Sequence, residues 1–155
     1  MRLAFSMIVP LALAAPSTGG ADRLEASPED GHVVVHAFRA GLFSGFAHDH
    51  HFAVTEWTAT ADLPGDDPAS LSVDVVIASS SLKDSQRSLS EGDRRKVDAQ
   101  AAGPDVLDAA HHPRIEFRSE RVDLARGPRD VGAVRGTLHG TVSYTHLTLP
   151  TICSV

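Results

Sequence analysis

Residues 103–119, GPDVLDAAHHPRIEFRS, compress a helical turn, a proline stop and the start of a strand into one short stretch. The Gly103-Pro104 pair can open a helical turn, because proline lacks the N–H that a first helical position leaves unused. Val106 and Leu107 give that turn an apolar side. His112-Pro113 ends it, since the residue before a proline avoids helical dihedrals. Ile115 and Phe117 then alternate with Glu116 and Arg118, the period-two pattern of a strand with one buried face. A chain that must pass from helix to half-buried strand across a fixed proline has few architectures open to it.

The same alternation recurs along the chain. Residues 32–39 read as a first strand. A second long alternating strand is expected over 52–63, with Phe52, Val54, Glu56, Thr58, Thr60 and Asp62 on one side. Ala53, Thr55, Trp57, Ala59, Ala61 and Leu63 are expected on the other. PGDDP at 64–68 is a turn. Leu71, Val73, Val75 and Ile77 form a continuous apolar face. From 82 to 107 the pattern turns helical, with Ser88 and Glu91 as a capping box and Gly92 weakening the first turn. Strands return over 115–124 and 133–139. Strands, one helical excursion, then strands again, without βαβ alternation, argue against a parallel sheet. The expected fold is mainly β, an antiparallel sheet curling into a barrel with helix at one end.

The ends read differently from the middle. Residues 1–21 have the form of a secretory signal: Arg2, an apolar run over 3–14, and small residues where cleavage can follow Ala14 or Ala21. The run is shorter than the ~20 residues of a membrane span, so no integral membrane segment is expected after cleavage. Residues 22–30 read as a flexible leader, and 31–140 as one domain. Residues 141–155 contain VSYTHLTLPT, which resembles the translation of a sequencing-library transposon adapter, so the domain is expected to be truncated near Gly140. The single cysteine, Cys153, falls in that tail, leaving neither a disulfide framework nor a thiol catalyst in the domain. With a net charge of −6, the chain has no electrostatic footprint for nucleic acid.

DVLDAAHHP followed by RIEFRSERV resembles the signature of the YceI-like family, whose members show an FDVxxYPxIxFxS run. Val106, Leu107, Asp108, Pro113, Ile115, Phe117 and Ser119 stand at matching spacing, with His112 where an aromatic is usual. VRGTLHG, ending at Gly140, resembles that family's GxLTxHG segment. The resemblance implies a periplasmic or secreted, lipocalin-like barrel that holds a polyisoprenoid or other long lipid, without enzymatic activity and without a cofactor. The candidate lining positions are Phe38, Trp57, Leu71, Val73, Val75, Ile77, Ile115 and Phe117. In such a barrel the core and the pocket are the same place.

Two other readings come from the residues. His48, Asp49, His50 and His51 have metal-ligand side chains. In an extended chain His48 and His50 share one side, so they could hold zinc or copper with His32 or His36, as a metal- or haem-associated protein would. His111 and His112 read as a helix terminus and His139 as structural. The last reading is a filled barrel with no ligand. No nucleophile elbow, phosphate loop or paired carboxylates are present, so catalysis is not indicated.

Overall fold

The computed structural model describes residues 3–8, 22–37, 49–64, 70–125, 135–144 and 147–154. Its strands are β1 (Leu3–Ile8), β2 (Asp22–Ala26), β3 (His32–Ala37), β4 (His50–Val54), β5 (Trp57–Leu63), β6 (Ser72–Ala78), β7 (Leu82–Asp84), β8 (Arg114–Ala125), β9 (Arg135–Tyr144) and β10 (Leu147–Ser154). One helix, α1 (Glu91–Ala102), lies between β7 and β8. All ten strands belong to one sheet in the order β2-β5-β6-β8-β9-β10-β1-β3-β4-β7. The sheet is mainly antiparallel and does not close, which is the expected incomplete barrel. Its one parallel pair is β1 with β10.

Period-two burial is strict in the central strands. In β6, Val73, Val75 and Ile77 are buried and the residues between them are not. In β8 the same holds for Ile115 and Phe117. These positions and the buried residues of β3, β4, β5, β7 and β9 form a single core cluster. A sheet can bury one face of so many strands in one cluster only by curling upon itself.

Four expectations are corrected. The long strand over 52–63 is two strands, broken at Thr55 and Glu56. There the chain leaves the β3 side of the sheet for the β6 side. Thr55 donates its N–H to Ser81 O (3.2 Å) and Glu56 O accepts from Ala78 N–H (3.0 Å), stitching the corner. The bend shifts the phase by one residue, so Phe52, Val54, Trp57 and Ala59 all point into the core. Alternation in hydropathy reports period, not a phase slip at a corner.

The helical region is also shorter than 82–107. Leu82–Asp84 pairs with β4 as an edge strand, after a 3-10 turn at Ser79–Ser81. The helix is capped by Ser90, not Ser88: Ser90 Oγ accepts from Asp93 N–H at 3.1 Å and donates to the Asp93 carboxylate at 2.7 Å. That hydrogen bond, with Lys96 beside it, holds the Asp93 carboxyl below its ordinary value. The helix buries only Ala101. Gly92 has open space around its missing Cβ, with Ser90 Oγ nearest at 3.9 Å. Gly92→Ala should therefore raise stability by about 0.5–1 kcal/mol through helix propensity alone, read as a higher denaturation midpoint.

Asp22–Ala26, read as a flexible leader, pairs antiparallel with β5 as the other edge strand. It carries Arg23 and Glu25 outward, as edges commonly do to discourage further pairing. The segment read as a signal supplies β1, between β10 and β3.

Candidate functional site

The buried face is organised in rows across four neighbouring strands. Trp57 is opposite Ile77, Ile77 opposite Ile115, and Ile115 opposite Tyr144. The next row is Ala59, Val75, Phe117 and Val142. Ala61 and Val73 begin a third. The first row is large throughout, whereas the second starts from the small Ala59 and reaches its largest side chain at Phe117. Six of the eight candidate lining residues thus form one apolar patch: Trp57, Val73, Val75, Ile77, Ile115 and Phe117, each at most 7% exposed. Leu71 packs partly buried at its border. Phe38 lies outside the described residues. At the far end of the first row, burial pushes the Tyr144 phenol above its ordinary value.

The third row ends where β8 and β9 meet at a β-bulge. Register shifts between Ser119, opposite Gly140, and Arg121, opposite His139. Ser119 Oγ accepts the Val73 N–H at 2.7 Å, so the bulged residue also ties β8 to β6. A Cβ on Gly140 would stand 2.0 Å from Arg118 O. Gly140 is therefore required by close backbone approach, which explains why that glycine ends the family-like segment.

The histidine cluster is split by the pleat. His50 turns inward, 5% exposed, and its Nδ1 donates to Asp84 Oδ2 at 2.5 Å. Asp84 is fixed in turn: its Oδ1 accepts from Gln86 N–H at 2.8 Å, and its own N–H donates to Asp98 Oδ1 on α1 at 2.7 Å. His50 also stacks on Phe52 at 5.9 Å. Sequence reasoning missed Asp84, because it was placed in a helix; its signal was the position two residues after the apolar Leu82, on the same strand face.

His51 turns outward and meets His36, its cross-strand neighbour, edge to face with ring centroids 4.4 Å apart. His48 lies outside the described residues. Among the described residues no three His, Cys, Asp or Glu side chains converge on one point. His111 does not end α1. It pairs with Asp108 at 2.9 Å in the turns that follow, where Asp108 takes a positive φ of 45°. His139 pairs with Asp123 across the β8–β9 ladder at 2.9 Å.

Burial, and then the neighbouring His51, hold the His36 imidazole below its ordinary value of 6.5. Unfolded His36 takes up a proton near 6.5, whereas folded His36 does so only at lower pH. Between those values the unfolded chain binds more protons, so stability rises with pH. This contribution is complete above 6.5 and is lost as pH falls from there through the folded value. Melting temperature should drop on acidification through this window, and His36→Gln should flatten that part of the profile.

The outward face is chemically unlike the inward one. Its cleft of about 450 Å³ is lined mostly by polar residues, Arg23, Thr60, Asp62, Asp74, Glu116, Arg118, Thr141 and Ser143, together with Val75, Val76 and Phe117, and Arg118 pairs with Asp74 at 2.8 Å. Among the described residues no helix is long and apolar enough to cross a membrane.

An open, curled antiparallel sheet with one continuous apolar inner face and a single helix beside its short edge strand is an incomplete barrel of the lipocalin-like kind. The YceI-like domain matches residues 27–150, and the chain belongs to that family. No curated protein matches it.

Proposed function

We propose that this protein binds and shields a long apolar molecule, a polyisoprenoid or another lipid, against the inner face of the sheet, as an exported periplasmic or secreted carrier rather than an enzyme. The observation that carries this reading is the unbroken apolar patch across β5, β6, β8 and β9. Family membership supports it. The driving force is desolvation, about 25 cal/mol for each Å² of apolar ligand surface removed from water, less the cost of ordering the ligand.

Export is part of the proposal, and N-terminal sequencing of the secreted protein should begin at Ala15 or Asp22.

The central test is Val75→Trp. Val75 is 4% exposed and sits between Ala59 and Phe117, so a large ring there occupies the space a ligand needs. Mass spectrometry of lipids extracted from purified protein should detect bound ligand in the parent chain and none in the variant. The expected stability cost is about 1–3 kcal/mol from overpacking. Equal lipid content in both would leave the filled barrel as the better description.

A further inference from the structure

Trp57 is the single tryptophan of the chain and 4% exposed. Its indole nitrogen is buried and, among the described residues, is the one buried side-chain polar atom without a hydrogen-bond partner. The other buried polar groups nearby are satisfied. Ser79 Oγ donates to His112 O at 2.7 Å, and Ser81 Oγ donates to Glu56 O at 3.2 Å. An unmet N–H in an apolar interior costs about 1–3 kcal/mol, and native interiors seldom leave one without a use.

We propose that Trp57 is the polar anchor of the ligand site, its indole N–H donating to a neutral oxygen acceptor, a hydroxyl or carbonyl, at the head of an otherwise apolar chain. This inference rests on the reading of the inner face as the ligand site. The position of Trp57 orients the ligand. Trp57 is the first residue of β5, beside the corner at Thr55 and Glu56, and successive apolar rows begin further along that strand at Ala59 and Ala61. Two residue pairs along a strand span about 13 Å, so the head sits at the corner end and the chain extends along the strand direction across the rows. A charged head is disfavoured. The buried polar side chains among the described residues are His50, Ser79, Ser81 and Asp84, and none is a lysine or arginine. A carboxylate or phosphate there would be buried without a cationic partner.

A single tryptophan gives a single indole N–H resonance in a ¹⁵N–¹H correlation spectrum. The delipidated full chain is titrated with 1-hexadecanol, with hexadecane and with palmitate. Hexadecanol should bind about tenfold more tightly than hexadecane, the worth of one buried hydrogen bond. Hexadecanol alone should move the indole proton downfield, and palmitate should bind more weakly than hexadecanol. In Trp57→Phe, which keeps an aromatic ring and removes the donor, hexadecanol should lose its advantage while hexadecane binding persists.

Hexadecane and hexadecanol binding equally, or hexadecanol binding without displacing the indole resonance, would overturn the anchor while leaving the apolar site standing. Tighter binding of palmitate would also overturn it. Failure of every probe to bind would remove the ligand site itself, and the anchor with it.

Discussion

Gly140→Ala should be the most disruptive single-methyl substitution in this chain. The added Cβ would lie 2.0 Å from Arg118 O and 2.9 Å from Ser119 Cα. Both contacts are backbone, so no side chain can rotate away. Relief requires the β8–β9 bulge to open, and β8 and β9 carry Ile115, Phe117, Leu138 and Val142 of the core. Ser119 would move with it and release the Val73 N–H, which it holds at 2.7 Å. The expected loss is about 3 kcal/mol, the upper part of the usual overpacking range, and it should appear as a lower chemical-denaturation midpoint. The inner face should deform as well, since Phe117 and Val142 flank the bulge, so lipid content should fall together with stability. A variant as stable as the parent would mean that the bulge is not part of the native ladder. The two glycines 92 and 140 thus make a matched pair: the same substitution stabilises where the Cβ meets open space and destabilises where it meets backbone.

Asp84→Ala should be comparably severe by a different route. The Asp84 side chain is fully buried and its carboxylate receives His50 Nδ1–H at 2.5 Å and Gln86 N–H at 2.8 Å. Truncation removes at once the buried acceptor of His50 Nδ1–H and the acceptor of the part-buried Gln86 N–H. Breaking a buried pair by removing one partner costs about 3–5 kcal/mol. Asp84→Asn keeps an acceptor oxygen for one of the two donors and should recover part of the loss. Calorimetric melts of the three proteins should therefore rank parent, Asn, Ala. Because His50 is bound into this pair, His50→Ala should also destabilise, and it is not a neutral control for ligand binding. A metal held by His50 would have to take Nε2, since Nδ1 donates to Asp84, whereas His36 and His51 meet on the opposite face of the sheet.

Much of the architecture was legible before any coordinates. The strand over Ser72–Ala78 and the strand from Arg114 follow from strict alternation of β-branched and aromatic residues with polar ones. Both faces came out as expected, whereas the alignment of Val75 with Phe117 and of Ile77 with Ile115 came only with the folded sheet. The proline stop at Pro113 comes from a residue type whose dihedral limits are intrinsic, while most of the turn expected at 64–68 lies outside the described residues. These are local properties, carried by each residue irrespective of its neighbours in space, and they sufficed to name a curled antiparallel sheet and much of its buried face.

What the sequence could not determine depends on contacts between distant segments. The break at Thr55 and Glu56 exists because Ser81 and Ala78 stand there to receive the chain, and it reverses the facing of Trp57 relative to Phe52. Leu82–Asp84 is a strand rather than helix because β4 offers it an edge. His50 and Asp84, 34 residues apart, become one buried pair only after β7 docks on β4. The requirement for glycine at 140 arises from a carbonyl 22 positions earlier on another strand, and the unmet N–H of Trp57 is a property of everything that fails to reach it. Local sequence sets periodicity, turns and the identity of the apolar face. Hydrogen-bond satisfaction, phase at the corners and close backbone approach are decided by partners that only the folded sheet brings together.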